Sequence, residues 1–359
     1  MFKRKSVNWR QLSHAYGSAR DVPQMFRALL SEDAAVRDQA LESMSASLCH
    51  QGTVYSATVA AVPLLIELLQ MPEVQDKDEI LVLLACVAHG YGEDAPPEAQ
   101  DSDNPALPAL LNGLSVFLQL LHDPNAKIRA AASFLVTSFA DIATVVDDLF
   151  QALLVESDPL VQGSFILNLP KGVLQRPDIY ALLVGKLAQE QHPIIKLTAA
   201  RKLTIDLQQE TPPEAVALLL DALSDFKPFV DDYKELTATL NDVVSDVSDC
   251  LCLAGEKYRP QSLPALLQTL NKANSSAALK VAHALLYLTF DHRNTLFKGR
   301  RTPEQEAVLQ AIANSRRAWR YNGNMAEILR SFGLPDHPIA LKAYLGGHDP
   351  LQAMMDLNS

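Results

Sequence analysis

The sequence predicts an all-α protein, a right-handed α-solenoid of stacked helical hairpins, and two observations support this prediction. The first is composition: Leu and Ala dominate the 359 residues, only 14 are glycine, and no sustained alternation of β-branched residues indicates a sheet. The second is a short motif that recurs between residues 106 and 207. Its three copies stand 35 and 34 residues apart, at Asp123-Pro124, Asp158-Pro159 and His192-Pro193. A period of this length is typical of hairpins that each bury an apolar face against the next.

Apolar residues flank each copy of the motif in the same register. They lie nine and five residues before the motif, and eight and eleven residues after its start. These residues are Leu114, Leu118, Ala131 and Phe134 in the first copy, Leu149, Leu153, Ile166 and Leu169 in the second, and Leu183, Leu187, Ala200 and Leu203 in the third. The shared register predicts three consecutive hairpins.

The first copy resembles a HEAT repeat, in which the first helix ends in Asp-Pro and an apolar-Arg pair follows five and six residues later. Ile128-Arg129 occupies those positions after Asp123, and Val36-Arg37 echoes the pair nearer the N-terminus. The other two copies have Gly163-Ser164 and Leu197-Thr198 instead. Arg129 stands six residues after Asp123, and these positions match those of the Arg and Asp that pair between repeats in HEAT arrays. The resemblance therefore implies that Arg129 pairs between repeats, because a planar guanidinium suits a carboxylate.

The whole chain is also similar to a group of bacterial HEAT-like proteins. The similarity rests on Trp9 to Asp21 (WRQLSHAYGSARD), His50-Gln51-Gly52 and Trp319 to Met325 (WRYNGNM). The similarity covers most of the chain, but it does not imply a particular activity. We interpret residues 1–359 as one solenoid domain, with an acidic loop at about 91–105 and a C-terminal cap at about 315–359.

The individual helices are predicted from apolar residues that recur at steps of three and four. Outside the three motif copies, the segments are 9–16, 21–30, 32–48, 55–70, 78–89, 212–224, a long helix through 229–251, 263–270, 276–290, a helix from 302, 325–332 and 337–345. Gly52 and Gly333 follow helix ends, where glycine is the usual residue. The clearest start is at Thr302, with Pro303 at the first helical position and Gln305 three residues after the cap.

Composition and charge argue against several functional classes. The formal net charge of -11 disfavours non-specific binding to nucleic acid or to an anionic membrane. The longest apolar run, residues 80–88, is too short to span a bilayer, and no apolar segment like that of a signal peptide follows the basic N-terminus. The four Cys lie inside helical patterns. We therefore expect a cytoplasmic protein with no cofactor and no nucleic-acid or membrane partner.

One group of aspartates and one pair of cysteines are candidate sites of chemistry. Asp242, Asp246 and Asp249 share one predicted helix face and could hold a divalent cation, but blocks of like charge are normally solvated, and we interpret them as such. Cys250 and Cys252 lack a second pair at zinc spacing and are interpreted as core residues. Because the sequence also lacks a phosphate loop, a nucleophile elbow and a metal-binding His motif, we expect no catalytic residue and no metal site.

A polar ladder is the first candidate binding surface. The residues six and ten positions after each motif start are all polar, and four-residue spacing puts each pair on one helix face. They are Arg129, Ser133, Ser164, Asn168, Thr198 and Lys202. In HEAT repeats the second helices line the concave side, so the resemblance implies that a protein partner binds there. The alternative is a solvated surface without a partner.

The second candidate surface is a basic and aromatic cluster near the C-terminus. It contains Arg316, Arg317, Trp319 and Tyr321. Trp, Tyr and Arg dominate interface hot spots, so the cluster suits recognition of a partner. The alternative is a terminal cap, which also needs large side chains over the last hairpin.

Together these patterns predict a non-catalytic scaffold for protein–protein interaction, because stacked repeats present extended surfaces. Two alternatives remain at this stage. Bilin lyases also carry HEAT-like repeats, although no bilin site is identifiable in this sequence. HEAT-like alkylpurine DNA glycosylases bind nucleic acid through a basic face, which the negative net charge disfavours.

Overall fold

The computed structural model describes residues 7–89, 104–190, 192–236, 242–290, 301–349 and residue 355. The chain divides into two compact units. The first comprises Met1–Pro170 with Leu236–Ala238, and the second comprises Lys171–Glu235 with Thr239–Ser359. Both are built almost entirely of helices over the described residues. The predicted fold class, an all-α protein of stacked helical hairpins, is confirmed, whereas the single-domain interpretation stays a prediction.

The first unit begins with a small β-hairpin, so the predicted helix over residues 9–16 is wrong. A 3-10 turn at Trp9–Gln11 is followed by β1 (Ser13–His14) and β2 (Gly17–Ser18), which pair in antiparallel register. Gly17 has a φ of 114°, which a side chain would disfavour, and it allows the tight reversal. The imidazole of His14 accepts the Tyr16 N–H at 3.0 Å, so local turn bonds replace helical ones.

Nine helices form the described part of the first unit, and they follow one another as hairpins. They are α1 (Val22–Ala28), α2 (Ala34–Leu48), α3 (Ser56–Leu69), α4 (Lys77–His89), α5 (Leu107–Asn112), α6 (Leu114–Leu120), α7 (Ala126–Val136), α8 (Ala143–Val155) and α9 (Pro159–Asn168). The second helices of the hairpins, α2, α4, α7 and α9, pack on one another in that order. Two of the three motif copies predicted part of this layer, because they immediately precede α7 and α9.

The starts of three second helices, α2, α7 and α9, are each fixed by a side chain that accepts backbone N–H groups. Asn125 accepts the N–H of Lys127 at the start of α7, and Asp158 accepts those of Leu160 and Val161 at the start of α9. Such N-caps contribute about 1 kcal/mol each. In the first copy the cap is therefore Asn125, two residues after the Asp of the motif.

The second unit continues the same construction. Its described helices are α10 (Pro177–Gln189), α11 (Pro193–Leu207), α12 (Pro213–Ser224), α13 (Val230–Lys234), α14 (Val243–Ala254), α15 (Arg259–Thr269), α16 (Ser275–Thr289), α17 (Pro303–Asn314), α18 (Asn322–Ser331) and α19 (Pro338–Leu345). Helices α11, α14 and α16 pack in succession, and α10, α12 and α15 form the other layer. Leu203 on α11, Leu251 on α14 and Leu285 on α16 are fully buried, and each such side chain contributes about 1.5–3 kcal/mol through burial.

The long helix predicted through residues 229–251 is wrong, because the segment forms two separate helices. α13 ends at Lys234, and α14 begins after Asp242. The backbone of Asp242 is extended, and its carboxylate accepts the N–H groups of Val244 and Ser245 at 3.0 and 3.1 Å. An acidic residue in this position caps a new helix, which apolar periodicity alone does not reveal.

The start predicted at Thr302 is confirmed. The Thr302 hydroxyl accepts the Gln305 N–H at 3.2 Å, and the Gln305 amide oxygen accepts the Thr302 N–H at 3.0 Å. This reciprocal pair is a capping box. The predicted acidic loop lies outside the described residues, except for Asn104 and Pro105 at its end. Across the described ranges, the helices are all too short or too polar to cross a bilayer.

Candidate interaction surfaces

Arg129 on α7 forms its ion pair with Glu156 and not with Asp123. Its Nε lies 2.6 Å from Glu156 Oε2, and Nη2 lies 3.0 Å from Oε1. Nη1 donates to the main-chain carbonyls of Asp123 and Pro124 at 2.9 and 3.2 Å. The Asp123 carboxylate instead accepts the Asn125 N–H at 2.8 Å. Arg129 therefore pairs between hairpins, but its carboxylate partner is Glu156 and not the Asp of the motif, and Asp123 contributes only its carbonyl.

The same arrangement occurs at Arg37 on α2. Its Nε lies 2.5 Å from Asp76 Oδ2, and Nη1 donates to the carbonyls of Ser31 and Glu32. Each arginine thus reaches back to the turn before its own helix and forward to a carboxylate in the turn before the next second helix. This repetition indicates that both arginines connect successive hairpins.

The predicted polar ladder does not form an exposed surface in the first unit. Ser133 and Ser164 are fully buried, and Asn168 is 4% exposed. The Asn168 side-chain amide donates to the Ser133 hydroxyl at 2.7 Å, and the Thr137 hydroxyl donates to the Asn168 carbonyl. These small polar side chains join α7 to α9. They satisfy one another within the packed layer, so their assignment to a solvent-facing ladder is wrong.

The members of the ladder in the second unit are buried as well. The Thr198 hydroxyl donates to the Ile195 carbonyl at 3.1 Å, which satisfies it within α11. Lys202 and Asp206 form an ion pair of 2.9 Å one turn apart, with side chains only 4% and 1% exposed. Their place on a partner-facing surface is therefore also wrong. Only Arg129 of the ladder is partly exposed, with 17% of its side chain accessible.

The three aspartates interpreted as a solvated face have separate structural roles. Asp246 is buried, pairs with Arg201 Nη2 at 2.9 Å and accepts the Tyr233 hydroxyl at 2.6 Å. Asp242 caps α14, and Asp249 lies 3.4 Å from Lys280. The solvated interpretation is wrong for Asp242 and Asp246. No group of three His, Cys, Asp or Glu side chains among the described residues is placed to hold a metal ion.

The two cysteines beside these aspartates are packed within the second unit. Cys250 is buried on α14, and Cys252 is partly buried. Burial raises the pKa of the Cys250 thiol to about 11 and that of Cys252 to about 12. Both thiols therefore stay protonated near neutral pH, which suits core residues and not thiolate ligands or nucleophiles.

The C-terminal cluster is only partly available to a partner. The indole N–H of Trp319 donates to the Ile312 carbonyl at 2.9 Å, and Arg317 donates to the carbonyls of Lys272 and Ala273. These bonds join the segment around the 3-10 turn of Ala318–Tyr321 to α17 and to the turn before α16, as a cap requires. Arg316 is exposed, and Tyr321 is 50% exposed.

An open groove lies where three second helices of the second unit end. It encloses about 460 Å³ and was not among the sites predicted from the sequence. Gln208 and Gln209 follow α11, Leu253 and Gly255 stand at the end of α14, and Tyr287 stands near the end of α16. We call it the helix-end groove. The segments that form it are far apart in the sequence, and Gly255 as a helix stop was the only local signal.

The helix-end groove combines exposed apolar side chains with a polar rim. Leu253 is 37% and Tyr287 is 42% exposed, whereas Phe290, which also lines the groove, is buried. On the rim, Arg259 lies 3.0 Å from Glu256 and 3.8 Å from Glu304. Exposed apolar residues surrounded by polar ones are the usual composition of a protein-binding surface.

The backbone at one edge of this groove is strained and held firmly. Gln208 has a φ of 50° and a ψ of -115°, a conformation that residues other than glycine rarely adopt. Its carbonyl accepts the N–H of Thr211 at 3.1 Å, and the Tyr258 hydroxyl donates to the Thr211 carbonyl at 2.7 Å. Strain of this kind costs about 1–3 kcal/mol and persists where surrounding bonds enforce it, often at binding sites.

Comparison with known proteins gives structural likeness only. No family model matches the chain, and no curated protein matches it. A crystal structure of an engineered protein is 17% identical, with a TM-score of 0.35, and the match covers 91% of this chain and 82% of that one. A second engineered protein is 20% identical over 66% of this chain and 95% of its own, with a TM-score of 0.36. A crystal structure of importin beta is 13% identical over 91% of this chain and 54% of its own, with a TM-score of 0.38. At these values the likenesses assign neither a family nor a function.

Proposed function

We propose that the protein is a non-catalytic scaffold and that its helix-end groove binds a segment of a protein partner. One observation carries the proposal: Leu253 and Tyr287 stand exposed over a groove whose backbone edge is held in a strained conformation. A surface that is already formed loses little entropy on binding, so its apolar contacts contribute more fully to affinity. Exposed Tyr and Leu side chains without such support would be ordinary surface residues.

The position of the groove indicates what the partner segment offers. The last carbonyl groups of a helix lack intrahelical N–H partners, and they carry partial negative charge. Three helices, α11, α14 and α16, end around this groove. Several carbonyls at these ends already accept donors from the chain, as Thr289 does from the Gln305 amide, so the fitting segment is defined by the apolar side chain that it presents to Leu253 and Tyr287.

Site-specific crosslinking in the native host tests this proposal. A photoreactive phenylalanine analogue is introduced at Tyr287 and, as a matched control, at Tyr180. Tyr180 is 38% exposed on α10 in the same unit but is not among the residues that line the groove. We expect one protein to crosslink through position 287 and not through position 180.

Once the partner is purified, its dissociation constant is measured for variants of the groove. Tyr287→Ala and Leu253→Ser should each weaken binding about tenfold or more, which corresponds to about 1.4 kcal/mol. Tyr180→Ala should leave the dissociation constant unchanged. Equal crosslinking from both positions contradicts the groove assignment. Crosslinking to nucleic acid, or copurification of a coloured bilin that the Tyr287→Ala variant no longer retains, favours one of the two alternative functions instead.

A further inference from the structure

A second groove lies in the first unit, between the outward faces of α2 and α4. It encloses about 620 Å³ and is open to solvent. Its lining includes three exposed carboxylates, which we call the rim, and three half-buried apolar side chains, which we call the floor. The rim is Asp38, Glu42 and Glu79, and the floor is Leu41, Val82 and Cys86. We call this groove the acidic groove.

The spacing of the lining residues shows how the acidic groove runs. Asp38 and Glu42 are four residues apart on α2, and Glu79, Val82 and Cys86 follow steps of three and four on α4. Such steps place residues along one face of a helix. The groove therefore follows the helices for about two turns, roughly 10 Å at 1.5 Å per residue. This length accommodates a short peptide segment.

The three rim carboxylates have no structural partner among the described residues. Over the described residues, neither Asp38, Glu42 nor Glu79 forms an ion pair or a hydrogen bond, and all three are exposed. The neighbouring acids have structural tasks, because Asp33 caps α2 and Asp76 pairs with Arg37. The negative charge of the rim is thus available to a molecule from outside.

The surroundings of Glu79 show how concentrated this negative charge is. Although Glu79 is exposed, the partial burial of its carboxyl group raises its pKa, and the nearby charges of Asp78, Asp76 and Asp38 raise this pKa further, whereas Lys127 lowers it. A carboxylate among like charges is stabilised by a cation that approaches it. A partner with positive charge would therefore gain from every carboxylate on the rim.

We propose that the acidic groove binds a basic, amphipathic segment of a protein partner. Lys or Arg side chains of the segment pair with Asp38, Glu42 and Glu79, and an apolar side chain packs on Leu41, Val82 and Cys86. The apolar floor favours such a segment over a polyamine or a metal ion, which bring no apolar surface. The negative rim repels nucleic acid and anionic lipid. This site is separate from the helix-end groove, and it goes beyond the proposed function of that groove.

Three labelled synthetic peptides of equal length test the proposal by fluorescence anisotropy. The probe carries Lys and Leu at helical spacing, the second peptide has Glu in place of Lys, and the third has Ala in place of Leu. The Lys/Leu peptide should bind, the Glu peptide should not, and the Ala peptide should bind at least about tenfold more weakly. Affinity for the probe should fall as salt rises, because exposed charge pairs are screened.

Two charge-matched variants locate the binding. The groove variant combines Asp38→Asn, Glu42→Gln and Glu79→Gln, and it should lose at least about tenfold in affinity for the probe. The control variant removes the same charge at exposed positions outside the groove, through Asp141→Asn, Asp148→Asn and Glu73→Gln. It should bind like the unaltered protein. Circular dichroism and thermal melting verify that both variants are folded.

Several outcomes overturn the proposal. Equal loss of affinity in both variants means that net charge, and not the groove, attracts the peptide. Equal binding of the Lys/Leu and Ala peptides removes the role of the apolar floor. Stabilisation by spermidine or magnesium alone that disappears in the groove variant, without any binding of the Lys/Leu peptide, assigns the site to a small cation.

Discussion

Arg129 and Glu156 form a two-point ion pair, with Nε 2.6 Å from Oε2 and Nη2 3.0 Å from Oε1. Glu156 Oε1 also accepts the N–H groups of Ser157 and Asp158, each at 2.8 Å. Arg129 adds bonds to two carbonyls in the turn before α7. One pair of side chains therefore fixes the turn that starts one hairpin's second helix to the turn that starts the next.

Removing the Arg129 side chain should destabilise the first unit. Arg129→Ala leaves Glu156, whose side chain is 5% exposed, without its cation, and it leaves two carbonyls without a donor. We expect a loss of about 2–3 kcal/mol in urea unfolding, less than for a fully buried pair because 17% of the Arg129 side chain is exposed. Arg129→Lys should recover only part of this loss, since an ammonium group cannot bind both oxygens in the same plane. A lysine variant as stable as the unaltered protein contradicts the two-point geometry.

The ion pair of Arg129 and Glu156 should make the stability of the protein depend on pH. Burial raises the pKa of Glu156, but the bonds from Arg129, Asp158 and Ser157 outweigh burial and hold this pKa below its usual value of 4.5. The folded protein therefore binds this proton less readily than the unfolded chain does. The contribution of Glu156 to stability is complete above about pH 4.5 and is lost as the pH falls through the lower folded value.

Unfolding measured between pH 7 and pH 3 examines this contribution. Glu156→Gln should be less stable than the unaltered protein at pH 7, and the difference between the two should shrink as the pH falls. A difference that stays constant with pH means that the Glu156 charge contributes nothing to the fold.

The fold could be predicted because it depends on spacings that the sequence displays directly. The recurrence of the motif before α7, α9 and α11 gave the hairpin period, and the Thr302 capping box gave a helix start. Both are local sequence patterns, and each one corresponds to a single type of local structure. The helix predicted over residues 9–16 failed because the turn bond from Tyr16 to His14 and the freedom of Gly17 compete with a helix of only two turns.

The candidate sites could not be predicted from the sequence. Helix periodicity shows which residues share a helix face, but it does not show what packs against that face. Ser133 and Asn168 lie on polar faces, but the polar face of α7 meets that of α9 and the two bond to each other. In the sequence Asp246 is one of several nearby acidic residues, and only the structure shows that it contacts Arg201 and Tyr233. Both grooves combine residues from neighbouring helices, so no single segment carries their signal.

Thr302→Ala should destabilise the region around α17. The substitution removes the hydroxyl that accepts the Gln305 N–H and leaves that donor without its partner. Loss of such a cap costs about 1 kcal/mol. Thr302→Ser keeps the acceptor and should cost much less. Chemical denaturation of both variants measures the difference, and equal stability of the alanine and serine variants removes the energetic role of the cap.

Gln208→Gly should raise stability. Glycine adopts a φ of 50° without steric cost, whereas glutamine at this position is strained. The relief exceeds the extra entropy of an unfolded glycine, and we expect a gain of about 1 kcal/mol. Gln208→Ala is the matched control, because it removes the side-chain amide but keeps the strain. A gain in the alanine variant as large as in the glycine variant shows that the side chain, not the backbone, is the source of the cost.

For Lys202, the exposed ladder expected from the sequence and the buried ion pair with Asp206 predict very different effects of substitution. On an exposed ladder, Lys202→Glu would change stability by at most about 0.5 kcal/mol. In the structure both side chains are buried, so the substitution places two carboxylates together away from water. We expect a loss of at least about 3 kcal/mol or complete unfolding of the second unit, observed by circular dichroism.

Replacing both partners by apolar residues separates the charges from the packing. Lys202→Met with Asp206→Leu should be neutral or stabilising, because the desolvation cost of the two charges disappears together with their attraction. The pH dependence gives an independent measurement. Burial lowers the pKa of Lys202, and the attraction of Asp206 only partly offsets this. Between the folded pKa and the usual value of 10.5, the unfolded chain therefore binds more protons, and stability rises with pH across that window. The double variant should lack this rise. If its stability follows the same pH profile as the unaltered protein, another group causes the rise.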